Sequence, residues 1–356
     1  MKKIYINGTG CISAQKTFDS IFLDEAELNE NDNILALKTP SFKDYISPAA
    51  IRRMANGVKN GIAASAMALK DASIESVDAI ITGTGMGCIE DSESFLKGIL
   101  DNNEQFLTPT SFIQSTHNTV GAQIALGLKC TAYNFTYVNG AVSFESALID
   151  AKMLIEEGSA GNVLVGGIDE TAEITMGLYK LAGIIKEDGA GPYKMLDTQT
   201  NGAVFGEGAT FFVIGENKSE STYAEIKDIS IINHFDANDV EQKAQDFLRS
   251  NSIDITAVDA IILGYNGEID YDVYYKKLSA GIFKNTAQAY YKHLSGEYNT
   301  ASAFGLWVGA NIIKTQSIPE IIQLTKLDGD KFRNILLYNQ YRGTDHSFIL
   351  ISACEA

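Results

Sequence analysis

Short apolar runs alternate along the chain with longer stretches whose apolar residues recur every three or four positions, and this alternation predicts a layered α/β fold. Lys3 to Ile6 reads as a first strand ending at Gly8-Thr9-Gly10. Asn7 and Gly8 interrupt its apolar stretch, so the segment is read as a strand rather than a signal peptide. Ser47 to Ala72 reads as one helix with Ser47 as cap and Pro48 in its first turn; Ile51, Met54, Val58, Ile62, Ala66 and Leu69 line one face. A strand over Val77–Thr82 leads into Gly83-Thr84-Gly85-Met86-Gly87, a helix falls within Ser111–Leu128, and Tyr133–Val138 is again a strand. A helix from Val142 to Glu157 closes at Gly158. Asn162–Val165 is a strand running into Gly166-Gly167-Ile168-Asp169, and Ala203–Gly215 reads as a strand pair.

From about Thr222 the pattern restarts. Ala224–Ile232 is a strand, Val240–Ser250 a helix, and Ala257–Leu263 a strand. Thr300–Thr315 is an apolar helix, and Asn334–Tyr338 with Ser347–Ser352 form a closing hairpin. The halves share a layout without obvious shared sequence. A duplicated fold is therefore expected, with halves 1–218 and 219–356, the second shortened.

Charge and composition narrow the function classes. Forty-five acidic against twenty-eight basic residues give a net charge of −17, a field that repels phosphate backbones and anionic lipid. Neither nucleic acid nor a membrane is an expected partner, and no apolar run reaches the roughly 18 residues that span a bilayer. The cysteines at 11, 88, 130 and 354 match no metal spacing or disulfide framework and are read as reduced thiols of a cytoplasmic protein. The histidines at 117, 234, 293 and 346 lack ligand-like spacing, so neither metal nor cofactor is expected. The Gly83–Gly87 turn lacks the third glycine of a dinucleotide fingerprint, and Glu90 and Asp91 put negative charge where a pyrophosphate would sit. It reads as a structural turn. No Gly-x-Ser-x-Gly elbow is present.

Several segments taken in order resemble the β-ketoacyl synthases, condensing enzymes of the thiolase-like fold. They are Ile6-Asn7-Gly8-Thr9-Gly10-Cys11-Ile12-Ser13, Arg52-Arg53-Met54 with Ala68-Leu69-Lys70-Asp71-Ala72, and Gly83–Gly87 with Glu90 downstream. Val165-Gly166-Gly167-Ile168-Asp169 follows. The most specific is Met195-Leu196-Asp197 with Asn201-Gly202-Ala203-Val204-Phe205-Gly206-Glu207-Gly208-Ala209. The resemblance implies a duplicated five-layer α/β/α/β/α fold. Its two central helices would lie back to back, which the small residues Ala141, Ser143, Ser146, Ala147 and Ala151 permit.

The resemblance also implies a chemical set: a cysteine on a strand-to-helix turn, two histidines or a histidine and an asparagine, and a lysine. Counting back from Gly158 and Gly166-Gly167 puts Ala141 at the cysteine position, whereas counting forward from Gly127-Leu128-Lys129 puts Asn139 there. Ser143 is the only hydroxyl in the first turn of the helix and is the speculative nucleophile. Asn266 stands in the slot of the first histidine, Lys292 matches the lysine, and Glu297 replaces the second histidine. Asparagine donates a hydrogen bond but shuttles no proton. Lys292 and Glu297, five residues apart across Ser295-Gly296, are expected to form an ion pair.

This pattern resembles the chain-length factors, degenerate subunits that pair with an active ketosynthase. It implies a heterodimer with such a subunit, or a homodimer, formed through the strand Tyr133–Val138, with an acyl-carrier protein served through the complex. A net charge of −17 offers an acidic carrier a poor overall field, so a basic docking patch comes either from Arg52, Arg53 and Lys59 or from the partner subunit. The product would be a polyketide, a polyene or a fatty acid. Two other readings stay open. One is a divergent acyltransferase or decarboxylase using Lys292, Asn266, Glu297 and Ser143; the other is a homodimeric scaffold without an acyl ligand.

Overall fold

Among the described residues the apolar runs become eleven strands: β1 (Ile4–Ile12), β2 (Ala79–Gly83), β3 (Tyr133–Tyr137), β4 (Asn162–Asp169), β5 (Gly208–Gly215), β6 (Ala224–Asn233), β7 (Ala260–Leu263), β8 (Ala287–Tyr290), β9 (Gln323–Thr325), β10 (Asn334–Tyr341) and β11 (Asp345–Ser352). The periodic segments become helices α1 (Pro48–Ile51), α2 (Asn56–Asp71), α3 (Ile89–Asp101), α4 (Pro109–Ser115), α5 (Thr119–Leu128), α6 (Ser143–Glu157), α7 (Glu173–Leu181), α8 (Val240–Ser250), α9 (Val273–Ala280), α10 (Lys292–Ser295) and α11 (Ala301–Thr315). This computed structural model describes residues 2–19, 22–105, 107, 109–196, 199–325 and 331–354. Asp197 of the Met195-Leu196-Asp197 motif lies outside the described residues.

The duplication is visible in strand order. In the first half the order is β3-β2-β4-β5-β1; in the second it is β8-β7-β10-β11-β6, with the short β9 outside β8. Each half has a parallel trio (β3, β2, β4 and β8, β7, β10) followed by two antiparallel strands. The halves join where Ile4–Ile6 of β1 pair with Ala224–Ile226 of β6.

Side chains alternate across each strand, so neighbours feed different layers. Ile80 and Leu164 face α2 and α5, packing with Val58, Ala68, Val120 and Ile124. Ile81 and Val165 face inward, as do Ile262 and Leu337 from the other half, onto α6 and α11 through Phe144, Ala147, Ala151, Ala303 and Phe304. Ile261 and Leu336 turn outward onto α8 and α9 through Val240, Leu248, Tyr275 and Leu278. The result is the expected five-layer α/β/α/β/α arrangement, with α6 and α11 packed against each other at its centre.

Several local expectations are corrected. The first strand does not stop at its glycines but continues to Ile12, because those glycines serve packing: a Cβ on Gly8 would lie 2.5 Å from Ala72 N, and one on Gly10 2.7 Å from Ala68 N. The helix read over Ser47–Ala72 is two helices. Its second part begins at Asn56, where the distant carboxylate of Glu170 accepts the Gly57 N–H at 2.5 Å. Ser47 does occupy the N-cap with Pro48 after it, but its side chain makes no capping bond. The helix expected within Ser111–Leu128 is present as α5, which Thr116-His117-Asn118 separate from the preceding α4. The fourth strand runs through Gly166-Gly167 to Asp169. Ala203–Gly215 yields one strand, β5, preceded by isolated bridges at Ala203 and Phe205. Among the described residues no helix is long and apolar enough to cross a membrane.

Candidate functional site

The site is assembled where three segments cross. After β8 the chain turns through α10, and Gly296, at φ +75°, redirects it into Glu297. The Gly296 N–H donates to Lys292 O at 2.7 Å. Glu297 is then zipped to the segment before β5: its N–H donates to Val204 O at 2.8 Å and its carbonyl accepts from Gly206 N at 3.1 Å. A Cβ on Gly296 would lie 2.5 Å from Gly206 N, so this crossing needs glycine. The third segment follows β7 and carries Asn266.

Three of the sequence-predicted residues meet here. Lys292 Nζ donates to Glu297 Oε2 at 2.6 Å, and Asn266 Nδ2 donates to the same oxygen at 2.6 Å. The expected ion pair forms, with Lys292 0% and Glu297 2% exposed. Asn266 is fixed from both sides: its Oδ1 accepts from Glu268 N at 3.0 Å, and its own N–H donates to Asp272 at 3.3 Å. Asp272 also accepts from Gly267 N at 3.1 Å; burial pushes its carboxyl up to about 7 against the pull of those N–H groups and of Lys292.

Around this cluster lie charges that periodicity did not single out. Glu145, in the first turn of α6, is fully buried and accepts from Ser347 Oγ at 2.6 Å; burial raises its pKa, and the nearby Lys292 charge opposes the rise. An acid in the first turn of a helix ordinarily reads as a solvent-facing complement to the helix dipole, which hid it. Lys186, likewise buried, donates to Gly267 O at 2.7 Å and Thr200 Oγ1 at 2.8 Å, and burial lowers its pKa. Asp169, at the end of β4, is also buried and collects five donors. Gly85 N, Met86 N and Thr84 Oγ1 reach one oxygen, Thr300 N and Oγ1 the other. The glycine-rich turn after β2 therefore spends its free amides on an internal carboxylate. A glycine turn and a strand-end aspartate were the readable signals.

The residues at the start of α6 stand apart from the pair. Ala141 sits buried in the 3-10 turn Gly140–Val142 and carries no functional group. Asn139 N–H donates to Ser143 Oγ at 2.8 Å, and that hydroxyl donates to Gly140 O at 2.7 Å, so local turn contacts occupy Ser143. Cys130 lies before β3, its thiol 3.6 Å from Val77 O. Cys11 is buried beside Thr210 Oγ1 and pushed up to about 12 by burial. His293 is a core residue. Its ring stacks on Tyr290 with centroids 3.9 Å apart, its Nε2 bonds Ile321 O at 2.8 Å, and burial lowers its pKa to about 4. The cluster can thus donate hydrogen bonds and hold a neutralised charge pair.

A family model described as the β-ketoacyl synthase N-terminal domain matches residues 29–220, more than half of the chain. The chain belongs to the β-ketoacyl synthase family. Solved structures agree in fold. The ishigamide ketosynthase/chain length factor superposes with a TM-score of 0.79 at 18% identity, over 99% of this chain and 100% of that one. A β-ketoacyl synthase from Burkholderia phymatum gives 0.76 at 16% identity, over 100% of both chains. A ketosynthase in complex with its chain length factor from Xenorhabdus doucetiae gives 0.74 at 12% identity, over 99% of this chain and 98% of that one. A search of curated proteins by sequence finds no match.

Proposed function

We propose that this chain is a chain-length-factor-type subunit that lacks the Cys-His-His set and pairs with an active ketosynthase in the synthesis of a polyketide, polyene or fatty acid. The observation that carries the reading is the buried Asn266–Lys292–Glu297 cluster. A carboxylate already neutralised by a lysine is a poor receiver for a developing oxyanion, and neither partner is a proton shuttle matched to condensation. Two further features support it. Ser143 spends its hydroxyl on the turn, and the cavity beside Phe205, Gly206 and Tyr298 offers about 20 Å³, room for roughly one water.

Partnering has its own support. β3 is the outer strand of its half, and Tyr133, Phe135 and Val138 are 43%, 46% and 50% exposed. An aromatic edge of this kind is an aggregation hazard unless another strand pairs with it. On this reading the halves 1–218 and 219–356 act as one cytoplasmic scaffold, and acyl-carrier protein is served by the assembled complex.

The test is reconstitution. The chain alone, given acyl and malonyl carrier-protein thioesters, is expected to form no carbon–carbon bond, and condensation is expected only after a ketosynthase from the same cell is added. Turnover by the chain alone that survives replacement of all four cysteines would instead establish a divergent enzyme.

A further inference from the structure

Six asparagine–glycine pairs occur in the chain, beginning at Asn7, Asn56, Asn60, Asn139, Asn201 and Asn266. Such a pair is chemically labile. Glycine has no Cβ to shield its backbone nitrogen, which can attack the carbonyl carbon of the asparagine side chain. In a folded protein the attack requires that both the nitrogen and the side chain be free to move, so local structure protects most pairs.

Five of the six are locked. Asn7 is buried in β1, with its Nδ2 donating to Asn217 O at 2.9 Å and its Oδ1 accepting from Thr222 Oγ1 at 2.6 Å. The N–H groups of Gly57, Gly202 and Gly267 donate to the carboxylates of Glu170, Glu268 and Asp272 at 2.5, 2.5 and 3.1 Å. Asn60 is buried within α2, where helical bonding engages the amide that follows it.

The Asn139–Gly140 pair differs on each count. Both residues are exposed, in the turn between β3 and α6. Gly140 heads the 3-10 turn, where a backbone donor has no acceptor within the turn, and its N–H has no partner among the described residues. Gly140 sits at φ +52°, and apart from its chain neighbours no atom lies within 4 Å of where a Cβ would stand. The peptide can therefore swing toward the side chain without a clash. Among the described residues the Asn139 side chain is held by one exposed hydrogen bond, from Nδ2 to Ser146 Oγ at 3.3 Å.

We propose that Asn139 is a site of spontaneous deamidation. The Gly140 nitrogen bonds to Asn139 Cγ, its proton passing through solvent to the departing amide, and the Cγ–Nδ2 bond breaks to release ammonia. Water then opens the cyclic imide at either carbonyl and leaves aspartate or isoaspartate at position 139. Either product adds a negative charge. Isoaspartate also routes the main chain through the side chain, which lengthens the link between the exposed edge strand and the central helix.

The full-length protein is incubated in mildly alkaline buffer, folded and in concentrated urea. Digests are followed over time by mass spectrometry, with isoaspartate told from aspartate by fragmentation. In the folded protein Asn139 is expected to convert at least about tenfold faster than any of the other five, as a mixture of both isomers. In urea that advantage should vanish. Asn139→Gln keeps an exposed amide but forces a larger ring, and conversion at this position should cease. The proposal is overturned if Asn139 converts no faster than the other pairs in the folded protein or if its lead persists unchanged in urea. It is equally overturned if aspartate forms without isoaspartate, which is direct hydrolysis, or if Asn139→Gln loses its amide as fast as the parent.

Discussion

Asp169 in the first half and Glu297 in the second are both buried carboxylates, 4% and 2% exposed, yet they are satisfied in opposite ways. Asp169 takes only neutral donors, three from the turn after β2 and two from Thr300 at the start of α11. It thereby ties the first half's loop to the second half's central helix. Glu297 takes one cation and one amide, both on a single oxygen and both from its own half. The first arrangement is a structural rivet whose donors cannot be supplied otherwise. The second is a self-contained pair, its cation and its amide both supplied from within the second half. Burying a carboxylate is costly in either place, so each can be tested by removing its compensation.

The largest effect belongs to the rivet. Asp169→Ala leaves several buried N–H and O–H groups without acceptors and is expected to cost on the order of 5 kcal/mol, read from chemical denaturation. A loss below about 1 kcal/mol would show that water replaces the carboxylate and that the rivet is unnecessary.

The pair should respond nearly as strongly to single changes, but not to a double one. Glu297→Ala strands a fully buried ammonium and is expected to cost about 4 kcal/mol. Lys292→Met with Glu297→Leu removes both charges and should cost no more than about 2 kcal/mol, the remainder falling on Asn266, whose amide loses its acceptor. If the double variant is as damaged as the single one, the pair does more than neutralise itself.

Asp272 extends the comparison to pH. Its folded pKa, about 7, lies above its ordinary 3.8, so the folded state holds the proton longer than the unfolded chain. A raised carboxyl contributes stability that is full below the unfolded pKa and fades as pH rises through the folded one. Asp272→Asn, a fixed stand-in for the protonated form, should match the parent near pH 4. It should gain on the parent by on the order of 4 kcal/mol by pH 7 to 8. A difference independent of pH would mean that Asp272 is ionised throughout.

Much of the scaffold was legible because it rests on local repetition. The 3.6-residue period marked Val240–Ser250 to the residue, Gly158 at φ +79° closed α6 as read, and the five-residue spacing across Gly296 gave the Lys292–Glu297 pair. What escaped depends on distant partners. Nothing near Asn56 announces that Glu170 will open α2 there, and nothing near Asp169 names Thr300, 131 residues away. Glycines misled in one direction: Gly8 and Gly10 read as the end of the first strand, whereas they clear space for a crossing helix inside it. Glu145 was hidden because its burial comes from β11, through Ser347, rather than from its own helix.

The smallest effect distinguishes the starts of the two central helices. At α11, Thr300 hands its N–H and hydroxyl across the molecule to Asp169, whereas at α6 Ser143 bonds only to Gly140 and Asn139 within its own turn. Ser143→Ala therefore costs one local acceptor and one local donor, about 1 kcal/mol by thermal or chemical denaturation, and Thr300→Val should cost more because it also weakens the rivet. The functional readout separates the roles further. As a turn residue, Ser143 can be replaced while a reconstituted complex keeps its condensing rate and product length. As a nucleophile, its loss would abolish acyl transfer outright with the fold intact. A silent Ser143→Ala in the reconstituted complex leaves the start of α6 as scaffold; a dead one would place chemistry there and reverse the reading of this chain as a non-condensing subunit.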